Sequence, residues 1–135
     1  MNPVTKLMDA IRGGTVLLTD GAIGTRLPLA DSGPATCPEW FTLKRPDLLT
    51  DITLRYIEAG ADIVQTNTFG ANARRLAACG LTDHVDECNT LAVLTACEAA
   101  EAARHPVYVA GTVGPTGLFT TSSSSQKQGE ALDVF

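Results

Sequence analysis

Ile63-Val64-Gln65-Thr66-Asn67-Thr68 is a short apolar run that ends in polar side chains, and the chain contains the same arrangement twice more. Val16-Leu17-Leu18-Thr19-Asp20-Gly21 precedes it, and Val107-Tyr108-Val109-Ala110-Gly111-Thr112 follows it. Runs that are continuously apolar, rather than alternating, read as strands covered on both faces, the mark of a parallel sheet. In such a sheet the three polar ends share one rim, where parallel α/β proteins place their chemistry.

The segments between these runs carry helical periodicity. After Pro46, apolar residues recur at three and four (Leu48, Leu49, Ile52, Tyr56, Ile57), acidic Asp47 and Asp51 sit near the start, and Gly60 stands where a C-terminal cap is expected. A short helix is expected around Ala73 to Ala78, ended by Gly80. A longer one then follows, capped by Thr82-Asp83, with Val85, Cys88, Leu91, Ala92, Thr95 and Ala99 on its buried face. Thr5 to Arg12 reads as a lid helix stopped by Gly13-Gly14. Ala30 to Arg45, rich in Pro, Ser, Asp and Gly, reads as a long loop pinned by Trp40-Phe41. Strands separated by helices are βαβ crossovers, so the expected class is α/β with three parallel strands and at least two crossovers.

Composition narrows the function classes. The 135 residues, 44% of them hydrophobic, can bury one core and no more. A net charge of −5 with scattered Lys and Arg offers no stripe for a nucleic-acid backbone. No apolar stretch approaches the ~18 residues of a bilayer span, and Met1-Asn2-Pro3 does not open a secretory signal, so a cytoplasmic protein with no membrane partner is expected. Cys37, Cys79, Cys88 and Cys97 form no C-x2-C pair, and their spacing reads as small core residues rather than a shared site.

Three rim segments are candidates for chemistry. In Asp20-Gly21-Ala22-Ile23-Gly24-Thr25 a carboxylate can hold an ammonium group, while peptide N–H groups around Gly21 and Gly24 can receive a carboxylate; together they suit an amino acid. Asp-Gly is also an ordinary turn signal. Gln65 to Thr68 places amides and hydroxyls beyond a buried strand, where they bond internally or face a ligand, with Asn67 the preferred contact. Gly111-Thr112-Val113-Gly114-Pro115-Thr116-Gly117 lacks both G-x-G-x-x-G and a following Lys. Close backbone approach or turn geometry therefore explains its glycines as well as a phosphate cradle in a flavodoxin-like domain would. His84 and His105, at helix ends, carry no catalytic pattern.

Taken in order, Thr19 to Thr25, Ala59 to Asn72 and Ala110 to Gly117 resemble the homocysteine-binding domain of the homocysteine S-methyltransferases. This family includes the amino-terminal module of cobalamin-dependent methionine synthase and the betaine enzymes. The resemblance implies a (β/α)8 TIM barrel with homocysteine at its carboxyl rim, the thiol bound to a zinc held by three cysteines. It also implies that Asp20 contacts the homocysteine amino group, and that Gly21, Thr66, Asn67 and Thr68 frame the amino acid end. The resemblance places the zinc cysteines on later strands, so no catalytic or metal-binding residue is assigned here. A full barrel takes about 250 residues. Residues 1–135 are thus expected to be the amino-terminal part of such a domain, about three βα units, with 120–135 a divergent tail. The expected function is methyl transfer to homocysteine, giving methionine. The chain would be inactive alone and would need its carboxyl-terminal half; the alternative is a non-catalytic half-barrel that pairs with a partner or as a homo-oligomer. The donor, whether methyl-folate through cobalamin, betaine or S-methylmethionine, is set outside these residues.

Overall fold

In the computed structural model, which describes residues 3–30 and 34–116, two regular strands lie parallel, flanked by helices. Helix α1 spans Pro3–Arg12, α2 Pro38–Lys44 and α3 Pro46–Glu58. Strand β1 is Ile63–Gln65, α4 Ala73–Ala78, α5 Val85–Glu101, and β2 Tyr108–Ala110. β1 pairs with β2 in parallel, Val64 opposite Val109, so β1-α4-α5-β2 is one crossover.

The expected first strand is present only in part. Thr19 makes a single parallel bridge to Ile63, and the chain beside it is held through backbone bonds from Asp20 to Ile63 and from Asp62 and Ile63 to Leu18. Val16 (84% exposed) and Leu18 (58%) are not covered on both faces, contrary to the expectation. Their continuous apolarity is real, but no partner among the described residues buries it. The lid helix shows the same departure. α1 forms where expected and Gly14 ends it at φ +80, yet Met8 and Ile11 remain exposed.

α3 forms as its sequence dictates, with Pro46 in the first turn and Gly60 at φ +101 just past its end. It buries Leu49, Ile52, Thr53 and Ile57 and lies beside α5, whose Ala92, Ala96 and Ala99 allow close approach. Ile57, Ala61, Val64 and Ala99 form the core between the sheet and these two helices. The second correction is α2, in a stretch expected to be loop. Pro38 opens it as Pro46 opens α3, and Trp40 meets Phe41 edge to face at 5.0 Å, with Phe41 3% exposed. Aromatic pinning is thus correct and the backbone state is not. Thr82-Asp83 does not cap α5 either; it forms a 3₁₀ turn, and His84 at the N-cap position makes no capping bond. The 120–135 tail lies outside the described residues.

Candidate functional site

The ends of β1 and β2 and the chain after Thr19 are tied together by side chains. Asp20, 7% exposed, accepts from the Gln65 backbone N–H through Oδ2 (3.0 Å) and from Gln65 Nε2 through Oδ1 (3.1 Å). Gln65 Oε1 in turn accepts from the Thr112 hydroxyl at 3.3 Å. Thr66 Oγ1 accepts from the Thr112 N–H (3.1 Å) and shares a 2.7 Å bond with Thr68 Oγ1, which donates to the Thr112 carbonyl at 2.6 Å. Each strand end is therefore fixed by the next. A carboxylate that accepts one donor per oxygen keeps lone pairs for a further partner.

These groups line one cavity of about 500 Å³, bounded by Asp20 to Gly24, Pro38, Glu39, Gln65, Thr66, Asn67, Phe69, Arg75 and Thr112. Among the expected site residues, Asp20, Gly21, Thr66 and Asn67 border it, whereas Thr68 stands behind it and braces Thr66 and Thr112. Asn67 spends its amide N–H groups on the Pro38 carbonyl (2.9 Å) and the Thr42 hydroxyl (3.0 Å), holding α2 against β1. The peptide N–H groups of Gly21, Ala22 and Ile23 donate to no acceptor among the described residues. Beneath them, a β-carbon at Gly21 would lie 2.8 Å from the Tyr56 hydroxyl, which itself donates to the Ala22 carbonyl at 3.0 Å. The absence of a side chain lets this turn settle against Tyr56 of α3.

Glu39 was not anticipated. It is 3% exposed; Oε1 accepts from the Gly70 N–H at 2.6 Å and Oε2 from the Cys37 thiol at 2.9 Å. The Cys88 thiol reaches the Glu39 carbonyl at 3.7 Å. Cys37 and Cys88 thus lie in one core cluster with Ala71, Leu76 and Leu81, and Cys79 packs against it, which is the small-core-residue role their spacing suggested. Burial, then the bonds to Glu39 and Cys79, push the Cys37 thiol far up. Burial, followed by the charges of Glu39 and Glu87, raises Cys88 to about 11. The family resemblance places its zinc cysteines on later strands, and the Cys37 and Cys88 thiols are instead directed at Glu39. Among the described residues no three His, Cys, Asp or Glu side chains are placed to hold a metal ion.

Of the remaining candidates, Gly114 is a point of close approach, since a β-carbon there would overlap the Phe69 carbonyl oxygen. The histidines make local bonds, His84 to Glu87 at 2.8 Å and His105 to the Ala61 carbonyl at 3.2 Å. No described helix is long and apolar enough to cross a membrane.

Comparison with known proteins matches this arrangement to one family. The sequence profile described as homocysteine S-methyltransferase matches residues 17–134. Methionine synthase of Mycobacterium tuberculosis is 36% identical over 120 residues, 82% of this chain and 10% of that protein. Methionine synthase of Mycobacterium leprae is 37% identical over 109 residues, 74% and 9% respectively. Two crystal structures of the homocysteine methyltransferase MmuM from Escherichia coli superpose with a TM-score of 0.69. The oxidized form is 28% identical and covers 87% of this chain; the metallated form is 25% identical and covers 97%. The chain spans 42% and 53% of those two structures.

Proposed function

Because the chain belongs to the homocysteine S-methyltransferase family, we propose that its cavity frames the amino acid end of homocysteine for methyl transfer to the thiol. The observation that supports this reading is that the buried Asp20 carboxylate and the residues Gly21, Ala22 and Ile23, whose N–H groups find no acceptor among the described residues, line the same cavity. The carboxylate receives the ammonium group through the lone pairs that Gln65 leaves, and the N–H groups orient the α-carboxylate. Thr66 and Asn67 frame the ligand at the cavity border, and Thr68 braces Thr66 from behind. The strand ends belong to the first three βα units of a (β/α)8 barrel, a cytoplasmic enzyme in this reading, and the sulfur chemistry is completed by residues outside this chain.

Calorimetric titration tests the reading. The chain binds L-homocysteine more tightly than 4-mercaptobutanoate, which lacks the amino group, and Asp20→Asn abolishes that preference. Equal binding of the two ligands, or an Asp20→Asn protein that still prefers homocysteine, overturns it. The chain alone shows no zinc-dependent methyl transfer to homocysteine. Turnover with stoichiometric zinc refutes the assignment of the sulfur chemistry to residues elsewhere.

The exposed Val16 and Leu18 favour a second reading, a non-catalytic half-barrel that associates with another chain. Stable, concentration-dependent assembly without homocysteine binding distinguishes it.

A further inference from the structure

The charges around the cavity do not balance. Two carboxylates border it, Asp20 and Glu39, and both are buried. Only one lining side chain is a cation, Arg75, which is exposed and makes no ion pair among the described residues. Arg26, the other guanidinium near this end, sits 6.0 Å over the Tyr56 ring and borders a separate pocket with Asp51 and Arg55. In the reading above the substrate's own ammonium group answers Asp20, so its carboxylate would meet the uncompensated Glu39 and, from Gly21 to Ile23, only neutral dipoles. Peptide N–H groups fix direction well, but they do not cancel the repulsion from that remaining carboxylate.

We propose that the Arg75 guanidinium is the charge partner of the amino acid substrate's α-carboxylate. This rests on the reading above and adds to it the residue that lets an anionic group enter an acidic cavity. A guanidinium suits the task because its planar fork matches a carboxylate and stays charged at any working pH. Arg75 can change without disturbing the fold, since its structural contribution is a backbone one. Its N–H donates to Asn72 Oδ1 at 3.1 Å and caps α4, a bond that side-chain substitution leaves in place.

The test compares L-homocysteine with 3-aminopropane-1-thiol, the same molecule without its carboxylate, against the wild-type chain, Arg75→Gln and Arg75→Lys. Arg75→Gln weakens homocysteine binding roughly twofold to fivefold, the scale of a solvent-facing ion pair. It leaves the aminothiol unchanged, and Arg75→Lys restores part of the loss. Added salt weakens homocysteine binding in the wild type and has little effect in Arg75→Gln. Equal losses for both ligands, or no loss for either, overturn the Arg75 assignment while homocysteine binding itself stands. A wild-type chain that binds neither ligand removes the site reading and this inference together.

Discussion

A β-carbon at Gly114 would overlap the backbone carbonyl of Phe69, and at Gly70 it would come within 2.8 Å of Glu39 Oε1. The two contacts predict different outcomes. At Gly114 the obstacle is backbone, so Gly114→Ala must push the loop after β2 away from Phe69, at a cost of about 1–3 kcal/mol in urea unfolding. It also loosens Thr112, two residues earlier, which ties β2 to Gln65 and Thr66. Gly70→Ala meets a side chain that can move, so it disturbs the Glu39 bond first and the sheet little. Sequence patterns showed part of this. The polar ends of the apolar runs mark Asp20 and Thr66 directly, because such groups beyond a buried strand need partners. Glu39 and Arg75 carried no such mark. Both sit on short helices, and only the tertiary fold brings them to the cavity wall. Glu39 follows Pro38 as Asp47 follows Pro46, a helix-start signal that was available and was outweighed by the Pro- and Ser-rich residues before it.

Among the elements, α4 depends most on its cap. Six residues are too few for a helix to persist by propensity alone. Asn72, 2% exposed, accepts from Arg75 N, and Leu76 is fully buried against Cys37, Ala71 and Leu81. Asn72→Ala should cost about 1–2 kcal/mol, and Leu76→Ala about 2–5 kcal/mol, both read from denaturant midpoints. α5 adds a pH dependence. Cys88 is raised from an ordinary value of 9.0 to about 11 in the folded chain. Between those values the native state keeps a proton that the unfolded chain has lost, so stability is full below pH 9 and falls as pH rises towards 11. Unfolding at pH 7, 9 and 10.5 shows the decline, and it is shallower in Cys88→Ala, which lacks this thiol. An unchanged slope in that variant removes Cys88 as its source. α3 was legible to within a residue or two, while α5 formed where expected but without the Thr82-Asp83 cap and ending at Glu101. The first strand was over-read, because continuous apolarity reports what a segment can bury and not whether anything covers it.

At the scale of the molecule, a sheet whose edges are open among the described residues is the dominant physical fact. Leu18 is pinned through its backbone to Asp62 and Ile63, so the first segment holds its place, while the side chains of Val16 and Leu18 face water. Val113, 76% exposed, and Met8 and Ile11 on α1 add to this uncovered apolar surface. Exposed strand edges beside apolar side chains template association with other chains. The isolated chain is therefore expected to associate reversibly as its concentration rises in sedimentation velocity. Val16→Lys with Leu18→Lys should suppress association while leaving the urea midpoint within about 0.5 kcal/mol, since neither side chain contributes to the buried core. Were the association to survive both lysines, the contact would lie elsewhere, with α1 the next surface to alter. Were the double variant to lose stability instead, these side chains would be packed in solution, and the first segment would be a covered strand as its sequence pattern suggests.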